Sequence, residues 1–269
     1  MNLNNLSKSI KFIQKDGNEL DKLRLTVALG KKYTKEEAIN ILKPYQFPDG
    51  SWDYESPEEN LNRIGSLGGT IHCLRWIREF DLEQSLLMEP TLDFLSNVQF
   101  SDGSFYETKE KLSHSPQKWL QEETLIDRFY FTAAVPMRLF SLGYSNHDSI
   151  KYAIEWLNQN HKKWDSLAGT WYGPWAVLCL FPFNEDLPKS LYEKCYNYAL
   201  DCLPKVYPQA LTWLLDALNG AKFPVIDSLI KKGIQRLKNL QNKQGLWNDS
   251  QYSTIETSIT AIKLIRIHS

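Results

Sequence analysis

"QFPDGSW" occupies Gln46–Trp52, "QFSDGSF" Gln99–Phe105 and "QNKQGLW" Gln241–Trp247. Each reads as a glutamine, three residues, a glycine, one residue and an aromatic. Recurrence at one fixed spacing marks a repeat protein before any single motif is interpreted. The flanking residues define the unit. Ahead of the elements stand "TKEEAINILKPY" (34–45), "SLLMEPTLDFLSNV" (85–98) and "VIDSLIKKGIQRLKNL" (225–240). Their apolar residues recur every three or four positions, as Ala38, Ile41 and Leu42 do, or Ile226, Leu229, Ile230, Ile234 and Leu237. That period, with charge between, predicts helices with one wet face. Behind the elements come "GGTIHCLRWIREF" (68–80), "LIDRFYFTAAVPMRLFSLG" (125–143) and "STIETSITAIKLIRI" (253–267). These are apolar or aromatic nearly all round, which predicts deeper burial.

The same alternation fills the rest of the chain. "LSKSIKFIQKDG" and "ELDKLRLTVALG" form a degenerate first unit that keeps Gln14 and Gly17. "DSIKYAIEWLNQN" and "GTWYGPWAVLCLF" form a unit with Gly169-Thr170-Trp171 in place of the motif, and "PKSLYEKCYNYALDCL" and "YPQALTWLLDALNG" form one without it. The expected fold is all-α: a single (α/α)6 toroid of six outer and six inner helices, residues 1–269 forming one domain. Closure of six hairpins would leave the inner helices around a central cavity. In each element the glutamine is expected to close an outer helix and bond backbone groups at helix ends. The glycine takes the turn at positive φ, and the aromatic folds back between hairpins. The element is thus read as a staple, without chemistry of its own.

Composition excludes several classes. The 269 residues are 42% hydrophobic and 23% charged, with net charge −1, so the chain can build a sizeable core and has no bulk attraction to nucleic acid or anionic membranes. No basic stripe suggests nucleic acid, and "SLGGT" (66–70) lacks the following lysine of a phosphate loop. Cys73, Cys179, Cys195 and Cys202 have no metal-ligand spacing and are read as buried free thiols. The start MNLNNLSKSI has no apolar signal core and no apolar run reaches a membrane span, so a cytoplasmic protein without a transmembrane segment is expected.

The Gln-x-x-x-Gly-x-Trp element between an outer and an inner helix resembles the QW motif of squalene-hopene and oxidosqualene cyclases. The chain is thereby similar to the prenyltransferase and squalene-cyclase repeat superfamily, and "IETSITAIKLI" resembles that family's inner-helix starts. The resemblance implies an isoprenoid substrate. It also implies an acid at the start of an inner helix, where the cyclases carry Asp-x-Asp-Asp. That motif is absent here. "WLQEETLIDRFYFTAAV" offers Glu122, Glu123 and Asp127, with Glu123 and Asp127 four apart on one helical face. These two are the candidate catalytic residues. A buried carboxyl among carboxylates holds its proton, as a protonating catalyst must. His72-Cys73 and Asp201-Cys202 do not match the zinc ligands of the prenyltransferases. No cofactor is expected, except magnesium if the substrate is a diphosphate.

The chain holds nine Trp and thirteen Tyr. The candidate substrate-binding residues are His72, Trp76, Tyr130, Trp171, Tyr172, Trp175, Tyr207 and Trp213. Aromatic faces suit a long hydrocarbon and stabilise cations. The leading expectation is a terpene cyclase-like enzyme. The alternatives are a non-catalytic toroid binding an isoprenoid, peptide or protein, and a polysaccharide lyase or glycosidase on an α/α toroid. A homodimer or partner protein could supply a second wall to the site.

Overall fold

Hydroxyl, amide and carboxylate side chains start the helices where the periodicity places them. Asn18, Ser66, Thr124, Asp227 and Ser253 each accept a backbone N–H at a helix N-terminus, satisfying donors the helix leaves free. The structure is a computed structural model that describes residues 3–53, 55, 63–108, 111, 124–163, 171–184, 186–248 and 253–268. Among these are twelve α-helices: α1 Leu3–Asp16, α2 Glu19–Ala28, α3 Lys35–Leu42, α4 Leu67–Glu79, α5 Met88–Val98, α6 Leu125–Ser141, α7 Asp148–Asn160, α8 Tyr172–Leu178, α9 Lys189–Cys202, α10 Pro208–Gly220, α11 Ser228–Asn239 and α12 Thr254–Ile267. Among the described residues there is no strand, only the isolated bridges Gln46–Trp52 and Trp52–Ser66. The all-α class and the alternating helix order read from the sequence are the observed ones.

Burial follows the same alternation. In α11 the buried positions are Leu229, Ile230, Gly233, Ile234 and Leu237, a single stripe. In α5 they are Met88, Thr91, Phe94 and Leu95. In α6, by contrast, every residue from Phe129 to Phe140 is buried, and all of α8 is. The deeper burial expected of the second helix of each pair is therefore found. One expected helix is shorter than "GTWYGPWAVLCLF" suggests: α8 stops at Leu178 and turns follow. Pro182 has no N–H and disfavours helical backbone at Phe181. Gly169 and Thr170 lie outside the described residues.

The chain divides into two compact units, residues 1–41 with 199–269, and residues 42–198. In the first, α12 packs against α1, α2, α10 and α11. In the second, α6 packs against α4, α7 and α8, and α5 against α4 and α7.

The three Gln-Gly-aromatic elements share one backbone geometry. Phe47, Phe100 and Asn242 each donate to the carbonyl four residues on, and Gly50, Gly103 and Gly245 donate back to the carbonyl three residues before. The glycines have φ of 83°, 89° and 85°. A Cβ on them would overlap the carbonyl oxygens of Pro90, Tyr152 and Asn5 respectively. Each turn thus sits directly on the backbone of another helix: α5, α7 and α1. Gln46 and Gln99 staple their turns to another helix, and Gln241 braces its own turn. Gln46 Nε2 donates to the Leu87 carbonyl and to Thr91 Oγ1, both at 2.9 Å. Gln99 Nε2 reaches the carbonyls of Gly103 and Ser149, and Gln241 Nε2 that of Gly245. The aromatics Trp52, Phe105 and Trp247 are fully buried. Each donates its backbone N–H to a hydroxyl on a buried helix: Thr70 of α4 at 3.1 Å, Thr132 of α6 at 2.9 Å and Ser258 of α12 at 3.2 Å. Burying one tryptophan removes about 150–250 Å² from water, worth about 4–6 kcal/mol at 25 cal/mol per Å².

Buried helices also end alike. Beyond α2, α4, α6 and α10, the residues Gly30, Asp81, Gly143 and Lys222 have positive φ. The residue after each donates to the carbonyl five positions back, the Schellman closure. Glycine fills two of these left-handed positions without strain; Asp81 and Lys222 do not. The four cysteines are buried and not joined in disulfides, and burial pushes the Cys195 thiol up to about 12.

Candidate functional site

The packing of α6 on α8 builds an aromatic cluster from residues far apart in sequence. Tyr130 lies 5.1 Å from Phe131 and 6.2 Å from Tyr172, ring centre to ring centre. Tyr172 meets Trp175 edge-on at 5.7 Å, and Trp175 stacks with Trp171 at 6.1 Å. Tyr130, Tyr172 and Trp175 are buried, while Trp171 is half-buried. Four of the eight expected substrate-binding residues therefore stand together. Such ring faces carry negative charge density and attract cations. Two more form a second group on α4: His72 meets Trp76 edge-on at 5.3 Å, and Trp76 meets Tyr45 at 5.3 Å. Tyr207 and Trp213 belong to the other unit, Tyr207 as the half-buried cap residue of α10 and Trp213 buried within it.

Asp127 lies in the first turn of α6 and is 5% exposed. Its Oδ2 accepts from the hydroxyl of Thr124 at 2.7 Å, while its backbone N–H donates to the same hydroxyl at 3.1 Å. The carboxyl is thus held at the helix start by the cap residue. Glu123 lies outside the described residues, as does Glu122. The neighbouring Arg128 is engaged elsewhere. Its Nη2 pairs with Asp102 Oδ2 at 2.7 Å and its Nε donates to Ser104 Oγ at 2.7 Å. The rings of Phe100, Tyr106 and Trp156 surround its guanidinium at 5.3–5.8 Å. Partial burial raises the Asp102 carboxyl, but hydrogen bonds from Ser104, the Arg128 charge and Trp156 outweigh it and hold the group below its usual range.

Two carboxylates that the sequence did not single out share the unit with Asp127. Glu107 is 5% exposed, and its Oε2 accepts from the Gly68 N–H at the start of α4 at 3.0 Å. Burial pushes its pKa up, against the opposing pull of that bond and of Lys111. Asp53 is also raised by burial, with Arg63 3.7 Å away. Their signal was present in the sequence, since Asp53 follows Trp52 directly and Glu107 follows Phe105 by two residues. In the other unit, buried Arg24 of α2 reaches Thr260 Oγ1 at 3.4 Å and Glu256 at 3.9 Å on α12, and Lys263 pairs with buried Asp216 at 3.6 Å. Among the described residues no group of three or more His, Cys, Asp or Glu side chains is placed to hold a metal ion. No described helix is long and apolar enough to cross a membrane.

Solved structures similar in fold to this chain include a type II terpene cyclase. The type II terpene cyclase MstE from Scytonema matches with a TM-score of 0.62 at 13% sequence identity, over 97% of this chain and 96% of that one. A variant of the same enzyme, in complex with geranylgeranyl dihydroxybenzoate as substrate, matches with a TM-score of 0.60 at 11% identity, over 97% and 95%. A second variant, in complex with merosterolic acid A as product, matches with a TM-score of 0.58 at 11% identity, over 98% and 95%. At these identities the likeness shows the fold. No family model matches the chain, and no curated protein matches it.

Proposed function

We propose that the chain is a terpene cyclase-like enzyme acting on a prenyl or polyprenyl substrate. The observation that carries this reading is the aromatic cluster of Tyr130, Trp171, Tyr172 and Trp175 on α6 and α8. Its faces would pack against an isoprenoid chain and stabilise a carbocation passing along it. The fold it shares with MstE supports the reading, since variants of that enzyme are solved with a prenylated substrate and a product. In this proposal Asp127 is the acid, with Glu123 four residues before it in sequence. Its burial, its fixed position at the start of α6 and its place after the Gln99 element, where the family resemblance puts the acid, support the role. Glu107, raised by burial, is the alternative proton donor in the same unit. His72, Trp76, Tyr207 and Trp213 complete the proposed substrate-binding set. Magnesium enters only if the substrate is a diphosphate. A second copy or a partner protein supplies any wall the chain lacks, and the protein works in the cytoplasm.

The absence of Asp-x-Asp-Asp favours one other reading, a non-catalytic isoprenoid-binding protein. One experiment separates them: mass spectrometry of products after incubation with C10 to C30 prenyl diphosphates, squalene and a prenylated hydroxybenzoate. The cyclase reading expects a product isomeric with a substrate. Asp127→Asn should then abolish turnover with ligand binding retained. Loss in Glu107→Gln alone moves the acid there. Binding without product establishes the non-catalytic reading, and neither binding nor product refutes both.

A further inference from the structure

Within the unit formed by residues 1–41 and 199–269, an open groove of about 530 Å³ runs between the end of α9 and the outer face of α11. Its apolar side is Leu200, Leu203 and Pro204. Its other side carries Lys231, Lys232 and Arg236, and the remaining lining residues are amides. No carboxylate lines it. The acid next in sequence, Asp201, is exposed and is not part of the lining. We propose that this groove is a second binding site, specific for a single-chain anionic amphiphile: one hydrocarbon tail with a phosphate or carboxylate head.

Three observations carry the assignment. First, three cations line the groove and no carboxylate does. Lys232 and Arg236 are four residues apart, a spacing at which like charges on a helix repel. Lys231 and Lys232 stand in the N-terminal half of α11, where the helix dipole gives cations no support. An anion in the groove relieves both. Second, Arg236 is held in place, its Nη2 donating to the Val206 carbonyl at 2.8 Å and its stem half-buried. It is therefore a positioned cation beside an apolar wall. Third, size selects the occupant. The volume falls in the range of small-molecule sites, whereas a stable protein interface needs about 20–30 residues a side. The site is independent of the cyclase reading, because none of its residues belongs to the aromatic cluster or to the buried carboxylates.

The test is calorimetric titration of the full chain with dodecyl phosphate below its micelle concentration, beside dodecanol, inorganic phosphate and phosphatidylserine vesicles. Dodecyl phosphate should bind at least 10-fold tighter than either half-ligand. The double variant Lys231→Gln/Lys232→Gln should weaken it at least 10-fold, with the thermal midpoint of the free protein not lowered, because both lysines are exposed and their like-charge repulsion is removed. Leu200→Gln should weaken it without altering the response to inorganic phosphate. Equal binding by the double variant overturns the proposal. So does binding no tighter than inorganic phosphate, and so does binding to vesicles alone, which would assign the face to a membrane surface.

Discussion

Replacing Trp52 tests whether the Gln-Gly-aromatic elements are staples. The side chain is fully buried, and its indole N–H donates to Thr91 Oγ1 at 2.8 Å. That hydroxyl also accepts from Gln46 and itself donates to the Leu87 carbonyl. One threonine therefore joins the turn to α5. Trp52→Ala removes the whole indole and leaves a cavity, which destabilises by about 3–5 kcal/mol. For a chain of this size that lowers the melting temperature by roughly 6–20 °C, at about 2–4 °C per kcal/mol. Trp52→Phe separates the contributions. It keeps one ring, and Thr91 keeps the Gln46 donor, so no buried acceptor is orphaned. The lost hydrogen bond is then worth about 0.5–1.5 kcal/mol. A residual cavity of about 40 Å³, at about 24 cal/mol per Å³, adds about 1 kcal/mol. Urea unfolding followed by far-ultraviolet circular dichroism measures both. The phenylalanine variant should lose about half of what the alanine variant loses. A loss below about 1 kcal/mol in Trp52→Ala, or equal losses in the two, refutes the staple.

Thr132→Val should destabilise by about 1–3 kcal/mol, because it leaves the buried N–H of Phe105 without its acceptor; an unchanged urea midpoint would contradict this. Lys222→Gly should stabilise by up to about 1 kcal/mol, since residue 222 is exposed at φ 58° and glycine removes the left-handed strain; a lowered melting temperature would show that the lysine side chain contributes instead. Glu107 has a folded pKa raised above its reference of 4.5, so the folded state holds the proton more tightly than the unfolded one. Its stabilising contribution is present below about pH 4.5 and is lost as pH rises through the folded pKa. Relative to Glu107→Gln, the parent should lose stability from pH 4.5 upward, and parallel urea midpoints across pH 4–8 would refute the assignment.

What the sequence by itself determined is local. The three elements, their glycine turns at positive φ, the alternation of wet-faced and buried helices and the burial of the cysteines all follow from periodicity and turn chemistry within about fifteen residues. Tertiary structure alone decided where the side chains of those elements end. Gln46 has no mark pointing it to Leu87 and Thr91, and nothing beside Trp52, Phe105 or Trp247 names Thr70, Thr132 or Ser258 as acceptors. Arg128 stands next to Asp127 in sequence, yet its fork closes on Asp102 because the turn before Phe105 folds back over α6. Glu107 reads as a loop carboxylate, and only the approach of its segment to the first turn of α4 buries it and raises its pKa. The aromatic cluster has the same origin. Tyr130 and Tyr172 are forty-two residues apart, and the packing of α6 on α8 makes them neighbours. The physical reason is that hydrophobic period specifies which face of a helix is buried, while the partner it meets is set by how the helices of each unit pack together.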